Sequence, residues 1–103
     1  MSVIKRGIGL LYYNRPDNIK TIIEAIMDTK PIDSTVVIAD DGSQLVPRHS
    51  EILTLAGPNR GIVANRNRVL WALQDCHYIA MIEDDLYPTE KNWFSIYEEC
   101  SAY

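Results

Sequence analysis

The segment Thr35-Val36-Val37-Ile38-Ala39 is mostly β-branched and apolar on both alternating faces. A strand with two apolar faces has to be covered on both, as strands of parallel sheets are. The segment stops at Asp40-Asp41-Gly42-Ser43, where Gly42 permits a turn. A second run of the same kind, Tyr78-Ile79-Ala80-Met81-Ile82, stops at three carboxylates, Glu83-Asp84-Asp85. Two buried strands that end in acids dictate a layered α/β architecture with its polar chemistry at one end of the sheet.

The flanking segments supply the layers. Residues 4–12 form an apolar stretch of strand length that ends at Asn14-Arg15-Pro16-Asp17. Asn14 suits a helix cap, Pro16 the first turn and Asp17 the positive end of the dipole. Ile19, Ile22, Ile23, Ile26 and Met27 then recur at helical spacing on one face, and Thr29-Lys30-Pro31 stops the helix. Residues 51–55 make a weaker strand, closed by Gly57-Pro58-Asn59. Residues 61–74 read as a second helix with Ile62, Val69, Leu70 and Leu73 inward. A last helix, capped by Thr89, turns Trp93, Ile96, Tyr97 and Cys100 to one side. The order β-α-β-β-α-β-α predicts an open, mostly parallel, Rossmann-like sheet with right-handed crossovers. Ligands of such sheets sit outside the carboxyl ends of the strands, where Asn14, Asp40, Asp41 and the 83–85 block all fall. Gly7-Ile8-Gly9 lacks a third glycine and opens no helix, which argues against a dinucleotide fingerprint.

Composition narrows the partners. The chain has 103 residues, 47% hydrophobic and 23% charged, which suits one small domain. A net charge of −4 argues against a nucleic-acid surface. No apolar run approaches the ~18 residues of a membrane span, and Met1-Ser2-Val3-Ile4-Lys5-Arg6 lacks a signal-peptide core. Cys76 and Cys100 show no metal-ligand spacing and read as free thiols. A cytoplasmic chain is the expectation.

The acids carry the chemistry. Adjacent carboxylates need a cation or several donors, and a set of hard oxygen ligands suits Mg²⁺, Mn²⁺ or Ca²⁺. In extended backbone Glu83 and Asp85 share a face and Asp84 opposes them. The bland alternative is a solvated acidic turn before Leu86-Tyr87-Pro88. Asp40 or Asp41 can accept the N–H of a pyrimidine ring, or can simply hold a turn with Ser43. Tyr12 and Tyr13 offer an aromatic surface near a base. Arg66 falls on the row Ile62, Arg66, Val69, Leu73, so it is expected to be buried and paired, with Asp40 or Asp41 or with a ligand's base or phosphate. Asn65 and Asn67 beside it can supply amide contacts.

Tyr12-Tyr13-Asn14-Arg15-Pro16, Ala39-Asp40-Asp41-Gly42-Ser43, Asn59-Arg60-Gly61-Ile62-Val63-Ala64-Asn65-Arg66-Asn67 and Ile82-Glu83-Asp84-Asp85-Leu86 occur in this order. Together they resemble the nucleotide-binding half of GT-A glycosyltransferases, family 2 in particular. The resemblance implies a hexosyltransferase-type enzyme that binds a UDP-linked sugar through Mn²⁺ or Mg²⁺ and passes the sugar to an unknown acceptor. Asp40 or Asp41 would contact uracil, Arg66 the base, and Tyr13 would lie along the nucleotide. Asn59 and Gly61 would shape the loop before the second helix. Glu83 would lie near the ribose and Asp84 beside it, in a DxD-like motif whose Asp85 would hold the metal. Residues 1–103 are expected to form one domain, the N-terminal half of the GT-A fold, without the acceptor-binding half that carries the catalytic base. No catalytic residue is assigned, and His49 and His77 read as surface or strand-edge residues. A lone monomer is then expected to bind donor but transfer poorly, and to self-associate through an apolar sheet edge. The alternatives are a non-catalytic nucleotide-sugar-binding module and, in another class, a phosphoacceptor receiver domain.

Overall fold

The computed structural model describes residues 4–101, with the side chains of Cys100 and Ser101 outside the description. Strands β1 (Arg6–Tyr12), β2 (Thr35–Asp40), β3 (Leu53–Ala56) and β4 (Tyr78–Glu83) and helices α1 (Pro16–Thr29), α2 (Ile62–Ala72) and α3 (Trp93–Ser101) follow in the order β1-α1-β2-β3-α2-β4-α3. The strands form one sheet in the order β3-β2-β1-β4, every pair parallel. This is the open Rossmann-like pattern of a GT-A fold. β1 lies between β2 and β4, pairing Leu10 with Ile38 on one side and with Ile82 on the other.

Each face of the sheet has its own core. Ile8, Leu10 and Tyr12 of β1, with Val36 and Ile38 of β2, meet Ile22, Ile23 and Ile26 of α1 and Phe94 of α3. The opposite parity, Leu11, Val37 and Ala39, meets Val69 and Leu73 on the α2 side. The two-faced apolarity of β2 is thereby used in full. Ile19 and Met27 flank the α1 row as partly buried residues. Trp93 Nε1 donates to Thr29 Oγ1 at 2.8 Å, fastening α3 to the end of α1.

Three local expectations are corrected. Asn14 does not cap α1: it takes a left-handed conformation (φ 45°), and Arg15 occupies the cap without a side-chain bond. Asn14 instead bridges loops, its N–H donating to Ser43 Oγ at 2.8 Å and its Oδ1 accepting from Gln44 N at 3.0 Å. The inward row of α2 is Asn65, Val69 and Leu73, so Ile62, Arg66 and Leu70 are exposed. Helix α3 starts at Trp93, four residues past Thr89, and buries Phe94 rather than Ile96. Cys100, assigned to that face, lies outside the described side chains. Cys76 is a free, half-buried thiol beside the α2-side core, and its pKa is raised chiefly by burial.

Gly7 and Gly9 explain how α2 reaches the sheet. A Cβ on Gly9 would come within 2.3 Å of Val69 Cγ1, and one on Gly7 within 2.9 Å of Leu73 Cδ1. These glycines are seats for helix side chains rather than parts of a phosphate loop. Gly9→Ala should therefore destabilise the fold by about 2 kcal/mol through overpacking. In urea denaturation, Val69→Ala added to Gly9→Ala should recover part of that loss. Strict additivity of the two losses would show that the contact is not the cause.

Candidate functional site

The crossover after β3 returns past β2 and β1 to place β4 on the far side of β1. The sheet's switch point thus falls between β1 and β4, where open α/β sheets bind ligands. A cleft of about 200 Å³ opens there, lined by Tyr12, Tyr13 and Arg15 after β1, Asp41 after β2, Ile62 and Asn65 of α2, and Glu83, Asp84 and Asp85 after β4. An adjoining hollow of about 480 Å³ shares Leu11 and Glu83 and includes Arg66, Tyr87 and Trp93. A larger hollow of about 630 Å³ between β3 and α2 is lined by no carboxylate, so volume alone does not locate the chemistry.

The two acids after β2 do different jobs. Asp40 is wholly enclosed, and its Oδ1 accepts both the N–H and the hydroxyl of Ser43. Through Ser43 and Asn14 it ties the end of β2 to the loop before α1. Its Oδ2 has no partner among the described residues. Asp41 faces the cleft. Its Oδ1 accepts from Arg60 N at 2.8 Å and its Oδ2 from Gly61 N at 3.1 Å, so the carboxylate sits on the amides leading into α2. Gly61 provides the positive φ of 92° that aims those amides. Asn59 closes the loop from behind, its Nδ2 donating to Asp41 O at 3.0 Å. Gly42, at φ 84°, fits under Asn59, whose backbone N would lie 2.7 Å from an added Cβ.

The block after β4 is not extended throughout. Strand β4 ends at Glu83, and Leu86 N donates to Glu83 O at 3.1 Å across a turn. The alternation that set Glu83 and Asp85 on one face therefore ceases at Asp84. Asp84 is held from two sides: its Oδ2 accepts from Tyr13 N at 2.8 Å and its Oδ1 pairs with Arg15 Nε at 2.9 Å. It fastens the end of β4 to the end of β1, across the switch point. Asp85 is exposed at the cleft and makes no hydrogen bond or ion pair among the described residues.

Arg66 is 51% exposed and pairs with the half-exposed Glu83 at 3.6 Å, not with Asp40 or Asp41. The expectation of a buried cation fails because α2 is rotated by about one residue from its sequence phasing. The cation that approaches Asp41 is Arg68, at 3.5 Å from Oδ1. Periodicity missed Arg68. The one available signal was its position three residues after Asn65, an amide on the true inward row that can receive a guanidinium. Tyr13 is exposed on the cleft wall and Tyr12 is buried beneath it. Burial raises the Tyr12 phenol pKa; the Arg15 N–H it accepts lowers it, and the charges of Asp40, Asp84 and Asp17 raise it. Glu98 pairs with Arg6 at the opposite end of the sheet, far from the cleft.

Among the described residues, no group of three or more His, Cys, Asp or Glu side chains is arranged to hold a metal ion. None of their helices is long and apolar enough to cross a membrane. A switch-point cleft built from three strand ends and rimmed by acids from two of them defines the class, a Rossmann-like domain of GT-A type. The sequence model of Glycosyl transferase family 2 matches residues 8–102, and the chain belongs to that family. The comparison with curated proteins finds no match. Family membership displaces the phosphoacceptor receiver reading.

The neighbouring acids should separate cleanly in urea denaturation. Asp84→Ala leaves Tyr13 N and Arg15 without their acceptor and should cost about 1–2 kcal/mol. Asp85→Ala removes no contact and should stay within about 0.5 kcal/mol of the parent. Equal losses would contradict the assignment of Asp84 as the fastener.

Proposed function

We propose that this domain binds a UDP-linked sugar with Mn²⁺ or Mg²⁺ and serves sugar transfer to an acceptor. The observation that carries the reading is the division of labour at the cleft. Asp84 is tied into the fold, while Asp85 stands open beside it. Mg²⁺-type ions commonly use one or two carboxylates and complete their shell with substrate phosphates and water. A single open carboxylate fits that mode, and it is consistent with the absence of a three-ligand cluster among the described residues. When bound, the metal would neutralise the diphosphate and stabilise departing UDP.

The chain's own residues take the remaining roles in this reading. Asp41 keeps lone pairs free after accepting two backbone N–H bonds, so it can also accept the imino N–H of uracil. Tyr13 offers its ring to the base. Arg66, exposed beside Glu83, is free to swing onto the base or the diphosphate, and Glu83 then accepts from a ribose hydroxyl. Asp40, although part of the same pair, acts from behind by holding Ser43. Transfer also requires a group that takes the acceptor's proton within hydrogen-bond reach. The cleft acids are all engaged with donor, metal or fold, so the reading assigns that group to an acceptor-side surface outside this cleft, whether from a further segment or from a second copy. Sparse cysteine usage supports a cytoplasmic setting. A binding-only module is the second reading, favoured by the commitment of both Asp84 oxygens to Tyr13 and Arg15. Release of free sugar from the donor over time would favour the enzyme.

Calorimetry of UDP should show affinity at least about tenfold higher with Mn²⁺ than in chelator, and GDP should bind more weakly than UDP. Equal UDP affinity in chelator overturns the metal assignment. Arg66→Ala should lower UDP affinity severalfold. Its urea midpoint should stay within about 0.5 kcal/mol of the parent, as expected for a half-exposed ion pair. A large stability loss would mean that Arg66 is a structural cation after all.

A further inference from the structure

Arg68 lines the hollow between β3 and α2, behind the Asp41 carboxylate, and the proposed function gives it no part. Its guanidinium reaches four groups. Nη1 donates to Asn65 Oδ1 at 2.9 Å and to Asp40 O at 3.2 Å, Nη2 donates to Pro58 O at 2.8 Å, and Nη1 lies 3.5 Å from Asp41 Oδ1. The side chain is only 19% exposed. Asn65 is itself buried, with its Nδ2 on Ala39 O at 2.8 Å. One planar fork thus joins the end of β2, the loop after β3 and the inward row of α2. The guanidinium also packs against Gly57, where an added Cβ would stand 2.8 Å from Nη2.

We infer that Arg68 is the positioning residue for nucleobase selection: it fixes the lateral position of the Asp41 carboxylate, and through it the preference for a base that presents an imino N–H. The inference rests on the reading of Asp41 as the base contact. Two backbone N–H groups hold the carboxylate from the α2 side. One N–H on each oxygen sets the plane of the carboxylate, and the Arg68 cation beside Oδ1 adds a restraint from the β3 side. A carboxylate held in place accepts the ring N–H of uracil. Cytosine presents a lone pair at the same ring position, and two acceptors face to face repel. Discrimination of this kind degrades when the acceptor can turn aside. Arg fits the role because its fork serves several acceptors in fixed geometry, whereas a Lys ammonium is a mobile point charge.

The test measures UDP and CDP affinities in Mn²⁺ by calorimetry, with Mn²⁺-pyrophosphate as the base-free control and thermal unfolding alongside. Three variants are compared with the parent. Arg68→Lys retains the charge and loses the fork. Gly57→Ala keeps every charged group and crowds only the far end of the Arg68 side chain, so it decides the matter if Arg68→Lys fails to fold. Asp41→Asn tests the underlying reading. The expected result is a parent preference for UDP that falls about tenfold in both Arg68→Lys and Gly57→Ala, with pyrophosphate affinity unchanged. A UDP-to-CDP ratio that holds in folded Gly57→Ala overturns the role of Arg68, as does a parallel loss of UDP, CDP and pyrophosphate affinity. If Asp41→Asn abolishes the preference while both other variants keep it, the positioning role falls alone. If the parent has no preference, or Asp41→Asn keeps it, the base-contact reading falls and takes the positioning role with it.

Discussion

Val69 resting on Gly9 is the contact on which the geometry of this domain depends. Side chains at Gly7 and Gly9 would stand 2.9 Å from Leu73 Cδ1 and 2.3 Å from Val69 Cγ1, so α2 could not keep its present seat on the sheet. At the actual spacing, the start of α2 sits level with the strand ends. Only then do the amides of Arg60 and Gly61 meet the Asp41 carboxylate, and only then does Asn65 reach the carbonyl of Ala39. The cleft is therefore set by apolar packing several residues away. Its polar bonds record that spacing and sharpen it; individually they are worth about 1–3 kcal/mol.

The acids at the cleft fall into a gradient from structural to free. Asp40 is enclosed and holds Ser43; Asp41 is held on the loop before α2 yet still faces the cleft. Asp84 clamps two strand ends, Glu83 has one loose partner in Arg66, and Asp85 has none among the described residues. Several like charges in so small a space repel one another, and most of the repulsion is met by N–H groups and arginines of the fold itself. What is left over is directed to one place, the mouth between β1 and β4. That remainder is the electrostatic ground for reading a cation and a diphosphate there.

Strand and helix order were legible in the sequence because the strong segments carry unambiguous patterns. The isoleucines of α1 define one face with no competing apolar residue, and β2 is apolar throughout. Helix α2 misled because Ile62, Val63, Leu70 and Trp71 are apolar and exposed, while Asn65 is polar and buried. An amide whose hydrogen bonds are satisfied by the sheet breaks the rule that inward means apolar. The phase error it caused moved Arg66 inward and hid Arg68. The acidic block was correctly located at a strand end, but strand periodicity was carried two residues too far, through Asp84 and Asp85, into a turn. Asn14 showed the residue type of a cap and the geometry of a bridge, since its left-handed backbone is equally natural to asparagine.

Strand β1 is the first element of the described chain and the second from one edge of the sheet. Its partner on one side, β2, follows after a single helix, but its other partner arrives only when Tyr78 comes to lie beside Arg6. The near pairing closes a short loop and the far one a long loop, so the two halves of the β1 ladder form under different entropic costs. During synthesis, β1, α1 and β2 can assemble while the far edge of β1 still waits. The cleft lies along that later seam. Among the described strands it is the seam that closes the longest loop, and the clamp between Asp84 and Tyr13 is the stitch across it.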